Sequence, residues 1–120
     1  MFNISKNGII TLTRGDTFQL PLFVNVGTPL KPIRFDLQEN DAITFRVMRA
    51  NEKSEDAVIK KVYRQKDMNE HGDVIVKFES ADTFYLDPGI YYYEVKLAYV
   101  RDNQSYVNTI VGRTKFYLID

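Results

Sequence analysis

The chain has no cysteine and no tryptophan, one histidine, four prolines and six glycines in 120 residues. Zero cysteine excludes a disulfide framework and any thiolate chemistry, and fits assembly in a reducing compartment. A single histidine leaves no second imidazole for a tetrahedral metal set. Charge of one sign is also missing: sixteen basic and sixteen acidic side chains cancel. No global field therefore draws the chain to nucleic acid or to an anionic membrane. No apolar run reaches spanning length, and Met1-Phe2-Asn3-Ile4-Ser5-Lys6 carries neither an apolar core nor a small-residue cleavage site, so no signal peptide is expected. Phosphate-binding loops, dinucleotide turns and nucleophile elbows have no counterpart in the sequence.

What is present is β-forming. Eight Phe and eight Tyr stand in a chain that is 44% hydrophobic and 27% charged, an ordinary globular balance sized for one domain over residues 1–120. The organising stretch is Leu86 to Leu97, a corner at Asp87-Pro88-Gly89 followed by strict alternation. Proline fixes φ for a turn and glycine can take the positive φ after it. Beyond the corner, Tyr91, Tyr93, Val95, Leu97 and Tyr99 share an inward face, and Tyr92, Glu94, Lys96 and Ala98 the outward one.

Similar reasoning along the chain predicts strands over Gly8–Thr13, Phe18–Val26, Asp41–Arg49, Ala57–Tyr63 and Asp73–Glu79. In the second, Phe18, Leu20, Leu22, Val24 and Val26 face the core, and Pro21 demands an edge or a bulge. In the third, Ile43, Phe45 and Val47 turn inward and Thr44, Arg46 and Met48 outward. Lys60 and Lys61 mark Ala57–Tyr63 as a guarded edge. Gly27–Pro32, Asn51–Asp56 and Gln65–Gly72 read as loops. Ser80–Leu86 is the one expected helical turn, capped by Ser80 or Asp82, with Phe84 dropping into the core. Arg101–Ser105 forms a hairpin loop, and Tyr106–Val111 and Thr114–Ile119 return, with Gly112 a bulge. Seven or eight short antiparallel strands with almost no helix favour an all-β sandwich over a small barrel, although strand count alone does not separate the two.

Chemical constellations are sparse. His71 lies between Glu70 and Asp73 in a polar loop and reads as a solvated side chain. Arg14-Gly15-Asp16 matches an adhesion tripeptide but sits where two strands need a turn. Asp36, Glu39 and Asp41 have no calcium-loop spacing. Catalysis, cofactors and metals find no support. Exposed aromatics at Phe23, Tyr92 and Tyr117, with Glu94 and Lys96, form the candidate interaction face.

Two resemblances add to this reading. Asp87, Gly89 and Tyr91 resemble the tyrosine corner entering the sixth strand of immunoglobulin-like sandwiches, with Tyr93 where the bridging cysteine would stand. An inward Tyr91 would then donate its hydroxyl to nearby loop backbone. Taken in order, Leu12-Thr13-Arg14-Gly15-Asp16-Thr17-Phe18, Asp36-Leu37, Ala42-Ile43-Thr44-Phe45-Arg46-Val47, Gly72-Asp73-Val74-Ile75-Val76, Asp82-Thr83 and Leu86–Val95 resemble the immunoglobulin-like N-terminal domain of siphophage baseplate upper proteins. The chain departs from that family in a longer Gly27–Phe35 insert. The resemblance implies a non-enzymatic virion component, made in the bacterial host cytoplasm, that seats a receptor-binding or fibre protein. Its partners would be other tail or baseplate proteins, with weak self-association, no nucleic acid and no membrane. A carbohydrate-binding module and an immunoglobulin-like adhesin or periplasmic domain are the alternatives.

Overall fold

In the computed structural model the longest ladder is built by the last two strands, and the rest of the chain is laid against it. The structure describes residues 1–28 and 30–120, without the side-chain surroundings of Val26 and Gly27. The inward position expected for Val26 and the turn role expected for Pro29 lie outside the described residues. Ten strands are present among those residues: β1 Phe2–Ile4, β2 Ile10–Thr13, β3 Phe18–Leu22, β4 Asn25–Thr28, β5 Lys31–Arg34, β6 Ala42–Arg49, β7 Ile59–Tyr63, β8 Val74–Phe78, β9 Gly89–Arg101 and β10 Gln104–Ile119. One helical turn, α1 Ser80–Phe84, precedes the corner. The fold is all-β.

Six strands form one sheet in the order β1-β2-β10-β9-β6-β7, while β3 pairs with β8 and β4 with β5. The β3–β8 pair lies across the large sheet. Its Phe78 ring meets Phe18 at 4.5 Å, Phe45 edge-on at 5.7 Å and Phe116 at 6.0 Å. Around these rings close Ile10, Leu12, Ile43, Val47, Val74, Val76, Tyr93, Val95, Leu97 and Leu118, all nearly sealed from solvent. Period-two alternation on both layers directs these side chains into one shared interior. β9 is central, and β7 is an edge bearing Lys60 and Lys61, as the charge pattern requires.

Several expectations are corrected. The strands are not all antiparallel: β10 runs parallel to β2, Phe116 beside Ile10 through Ile119 beside Thr13. The Gly27–Pro32 loop is a β-ribbon, with Asn25 opposite Arg34 and Thr28 opposite Lys31. Pro32 is tolerated because this ribbon has only two strands, so its missing amide can face outward. β1 carries too little alternation to have been read as a strand; Phe2 holds it by stacking on Phe18 at 4.2 Å.

At α1 the cap is Glu79, not Ser80 or Asp82. The Asp82 carboxylate reaches back to the Glu79 N–H at 2.7 Å in a reciprocal capping box. The helix then turns Thr83 inward, where its hydroxyl accepts from the Gly15 N–H at 2.9 Å, and leaves Phe84 exposed. Gly89 has φ of 159°, near-extended rather than the left-handed turn value expected. The left-handed pair stands elsewhere, at Asp102 and Asn103 (φ 52° and 64°), which close β9 onto β10 as a two-residue hairpin. Register shifts in β10 between Thr109 and Thr114 bracket Gly112, the expected bulge.

Candidate interaction face

The face proposed from sequence is the outward side of β9. Ladder pairing sets Tyr92 opposite Met48 and Lys115, Glu94 opposite Arg46, and Lys96 opposite Thr44 and Thr109. Tyr117 pairs with Ile90, two positions along from Tyr92, so it shares this side. Tyr92, Lys96 and Tyr117 are half-buried. Phe23 does not join them. It follows β3 on the other layer, and its side chain is exposed on the far side of the core.

Two members of this side are not exposed at all. Glu94 is 6% accessible and Met48 is fully buried, against the outward placement read from alternation. Beside them, Arg113 covers Tyr92. Its guanidinium lies over the Tyr92 ring at 5.4 Å and donates to the carbonyls of Arg49, Ala50 and Glu52 at 3.0, 3.3 and 2.9 Å. The Gly112 bulge aims Arg113 across the strand, so this side chain and the Arg49–Glu52 carbonyls cover the Tyr92 end of the face. Glu94 Oε1 has no hydrogen-bond partner among the described residues, although Arg46 is its neighbour in the ladder.

At the corner, the Tyr91 hydroxyl donates to the Asp87 carbonyl at 2.7 Å, and Tyr93 donates to the Gly8 carbonyl. Burial raises the pKa of both phenols. These bonds pin the β8–β9 corner and the β1–β2 turn to the same strand. Asp87 and Gly89 themselves stay exposed, so the corner is a structural device rather than a binding surface.

One ionic contact was invisible in the sequence. Asp41, 1% exposed, receives a two-pronged guanidinium from Arg101 at 2.9 Å on each oxygen, while its Oδ2 also accepts from the Gln38 N–H at 2.8 Å. The Arg101 hydrogen bond holds the Asp41 carboxyl below its ordinary value against the opposing effect of burial, and Asp41 raises Arg101 in turn. Arg101 also lies over Phe35 and Tyr99, and Tyr99 stacks on Tyr106 at 5.0 Å. This cluster stiffens the turn end of the β9–β10 hairpin. Sixty residues separate the two charges, so spacing gave no signal.

The remaining polar candidates do not converge. His71 is exposed beside Glu70, and the described residues hold no group of three potential metal ligands. Asp36 pairs loosely with Arg34 and Glu39 is exposed, both apart from the Asp41 pair. In Arg14-Gly15-Asp16, Arg14 binds Asp120 at 3.0 Å and Asp16 binds the amino terminus, so the turn ties both chain ends together. A crevice at the root of the β4–β5 ribbon is lined mainly by Phe23, Val24, Phe35, Leu37 and Val74, with Arg34 and Asp73 paired at its rim.

Exposed apolar side chains include Leu30 and Ile33 on the ribbon, Phe84, Tyr85 and Ile90 near the corner, and Val100, Tyr106 and Val107 on the β9–β10 hairpin, with Ile4, Phe23, Val62 and Ile119 elsewhere. No known protein-family model matches the chain, and a search of curated proteins finds no match.

Proposed function

We propose that the chain is a non-enzymatic, immunoglobulin-like structural module of a phage tail or baseplate that works through protein–protein contacts on its projecting strands. The observation that carries this reading is where the exposed apolar surface lies. Much of it sits on the β4–β5 ribbon, the β9–β10 hairpin and the turn before β9, and the described residues hold no group of three potential metal ligands. Enzyme sites need convergent titratable groups, and assembly surfaces need exposed apolar area. The order of sequence signals resembling baseplate upper proteins supplies the tail context. Tyr91 bonding to Asp87 at the corner is in keeping with the immunoglobulin-like form of the fold.

A sugar-binding platform fits less well. Stacking on a pyranose needs an open aromatic face, and the Tyr92 ring already carries Arg113. The test is to mix the purified chain with baseplate and receptor-binding proteins from the tail gene cluster of its own genome, and to follow mass by chromatography with light scattering. Co-elution with one of them supports the role. Failure with all of them, together with glycan retention lost in Tyr92→Ala, would replace it with the carbohydrate reading.

A further inference from the structure

β10 has an open side. Along its whole length it pairs with β9, but β2 covers its other edge only from Phe116 to Ile119. From Gln104 to Arg113 that edge has no strand beside it among the described residues. Three other edges are guarded. β7 carries Lys60 and Lys61, β3 carries Pro21, and the Lys77 N–H of β8 is taken by the Tyr63 hydroxyl at 3.2 Å. The free part of β10 has no such device. Gln104 to Gly112 contains no charge and no proline, and reads Gln-Ser-Tyr-Val-Asn-Thr-Ile-Val-Gly. Val107 is 66% exposed on it. Such an edge left bare pairs with whatever strand it meets.

We propose that this edge is a two-fold interface: a second copy of the chain pairs its own β10 antiparallel along it, with Val107 opposite its mate. The commitment to a second copy rests on self-complementarity. In this register Tyr106 meets Asn108, Ser105 meets Thr109 and Gln104 meets Ile110, so no like charges are opposed and Val107 is covered by an apolar equal. The fit is also spatially bounded. The arriving turn at Asp102-Asn103 ends opposite Val111 and Gly112, short of Phe116 where β2 begins. The Thr109–Thr114 irregularity ends the regular ladder at the same place, so the paired stretch is Gln104–Ile110, about 24 Å of strand. That is smaller than a standard interface of roughly 1,600 Å², so the dimer is reversible and concentration-dependent.

The proposal deepens the assembly reading by naming a partner, and its test stands apart from that role. Analytical ultracentrifugation of the whole chain across a concentration series should give a monomer–dimer equilibrium. Val107→Lys, at a solvent-facing side chain, should weaken it by about tenfold or more by opposing two charges, with an unchanged melting midpoint in dilute solution. Because the chain has no cysteine, Val107→Cys gives an unambiguous probe. It should cross-link as a disulfide dimer, since antiparallel neighbours place their Cα atoms within disulfide reach, whereas Lys60→Cys on the guarded edge should not. A monomer at every concentration overturns the proposal, as does a dimer indifferent to Val107→Lys. A chain that dimerises here but associates with no tail protein keeps this interface and loses the tail role. A strict monomer that binds a tail protein does the reverse.

Discussion

Removing the Tyr91 hydroxyl isolates one hydrogen bond from everything else that residue does. The ring is 5% exposed on central β9, and its hydroxyl donates to the Asp87 carbonyl at 2.7 Å. Tyr91→Phe keeps the ring and its packing, so no cavity term enters. A net intramolecular hydrogen bond contributes about 1 kcal/mol, and leaving a buried partner unpaired adds to that. Asp87 is exposed, so its carbonyl recovers water and the extra penalty stays small. The expected loss is about 1 kcal/mol, or about 4 °C in melting temperature for a chain of this size. Urea titration at fixed pH should show a lower midpoint with an unchanged slope, because the surface exposed on unfolding is the same. A midpoint identical to that of the parent chain would refute the account, since it would mean that water replaces the bond without loss.

Three further outcomes follow from the core and the buried charges. Phe78→Ala removes the ring against which Phe18, Phe45 and Phe116 pack, and should cost about 3–5 kcal/mol by denaturant titration. Glu94→Gln removes a charge whose Oε1 is unpartnered, and should leave stability unchanged or raise it by about 1 kcal/mol, read by thermal unfolding. Asp41 is held below its ordinary 3.8 chiefly by Arg101, so its folded value lies under its unfolded one. The stability from this pair is therefore fully present above that ordinary value and lost as pH falls through the folded value. Midpoints measured from about pH 5 downward should fall less steeply in Asp41→Asn than in the parent chain.

Much of the architecture was legible because period-two alternation is a strong signal wherever one side of a strand is dry. β6, β8 and β9 were read with their inward residues correct, and the Lys60–Lys61 edge followed from charge alone. The failures have a common physical source. Alternation tells which residues share a side, not what covers that side. Glu94 and Met48 alternate outward as expected and are nonetheless buried, and the Arg113 and Arg49–Glu52 cover seen over Tyr92 is a contact no local pattern encodes. Phe84 failed differently. A helix of five residues has little room, and the Glu79–Asp82 box sets its phase so that Thr83, not Phe84, faces inward. The Gly27–Pro32 ribbon was hidden by its own turn residues. The candidate face was half legible: Tyr92, Lys96 and Tyr117 do share one side, while Phe23 belongs to the opposite layer, a fact set by the β3–β8 pairing.

The Gly112 bulge links these observations. β10 is the longest strand in the fold, and its two halves meet different neighbours. Below the bulge, Thr114, Phe116 and Leu118 stand opposite Tyr93, Tyr91 and Gly89, and β2 covers the far edge. Above it, the strand continues along β9 alone, held near its turn by Tyr106 on Tyr99 and by the Arg101–Asp41 pair. The extra residues in the bulge swing Arg113 over Tyr92 and separate the covered half from the free one. One irregularity thus both covers the Tyr92 end of the outward face of β9 and separates off the bare Gln104–Ile110 edge. The proposed second copy therefore docks on this edge rather than on the aromatic face.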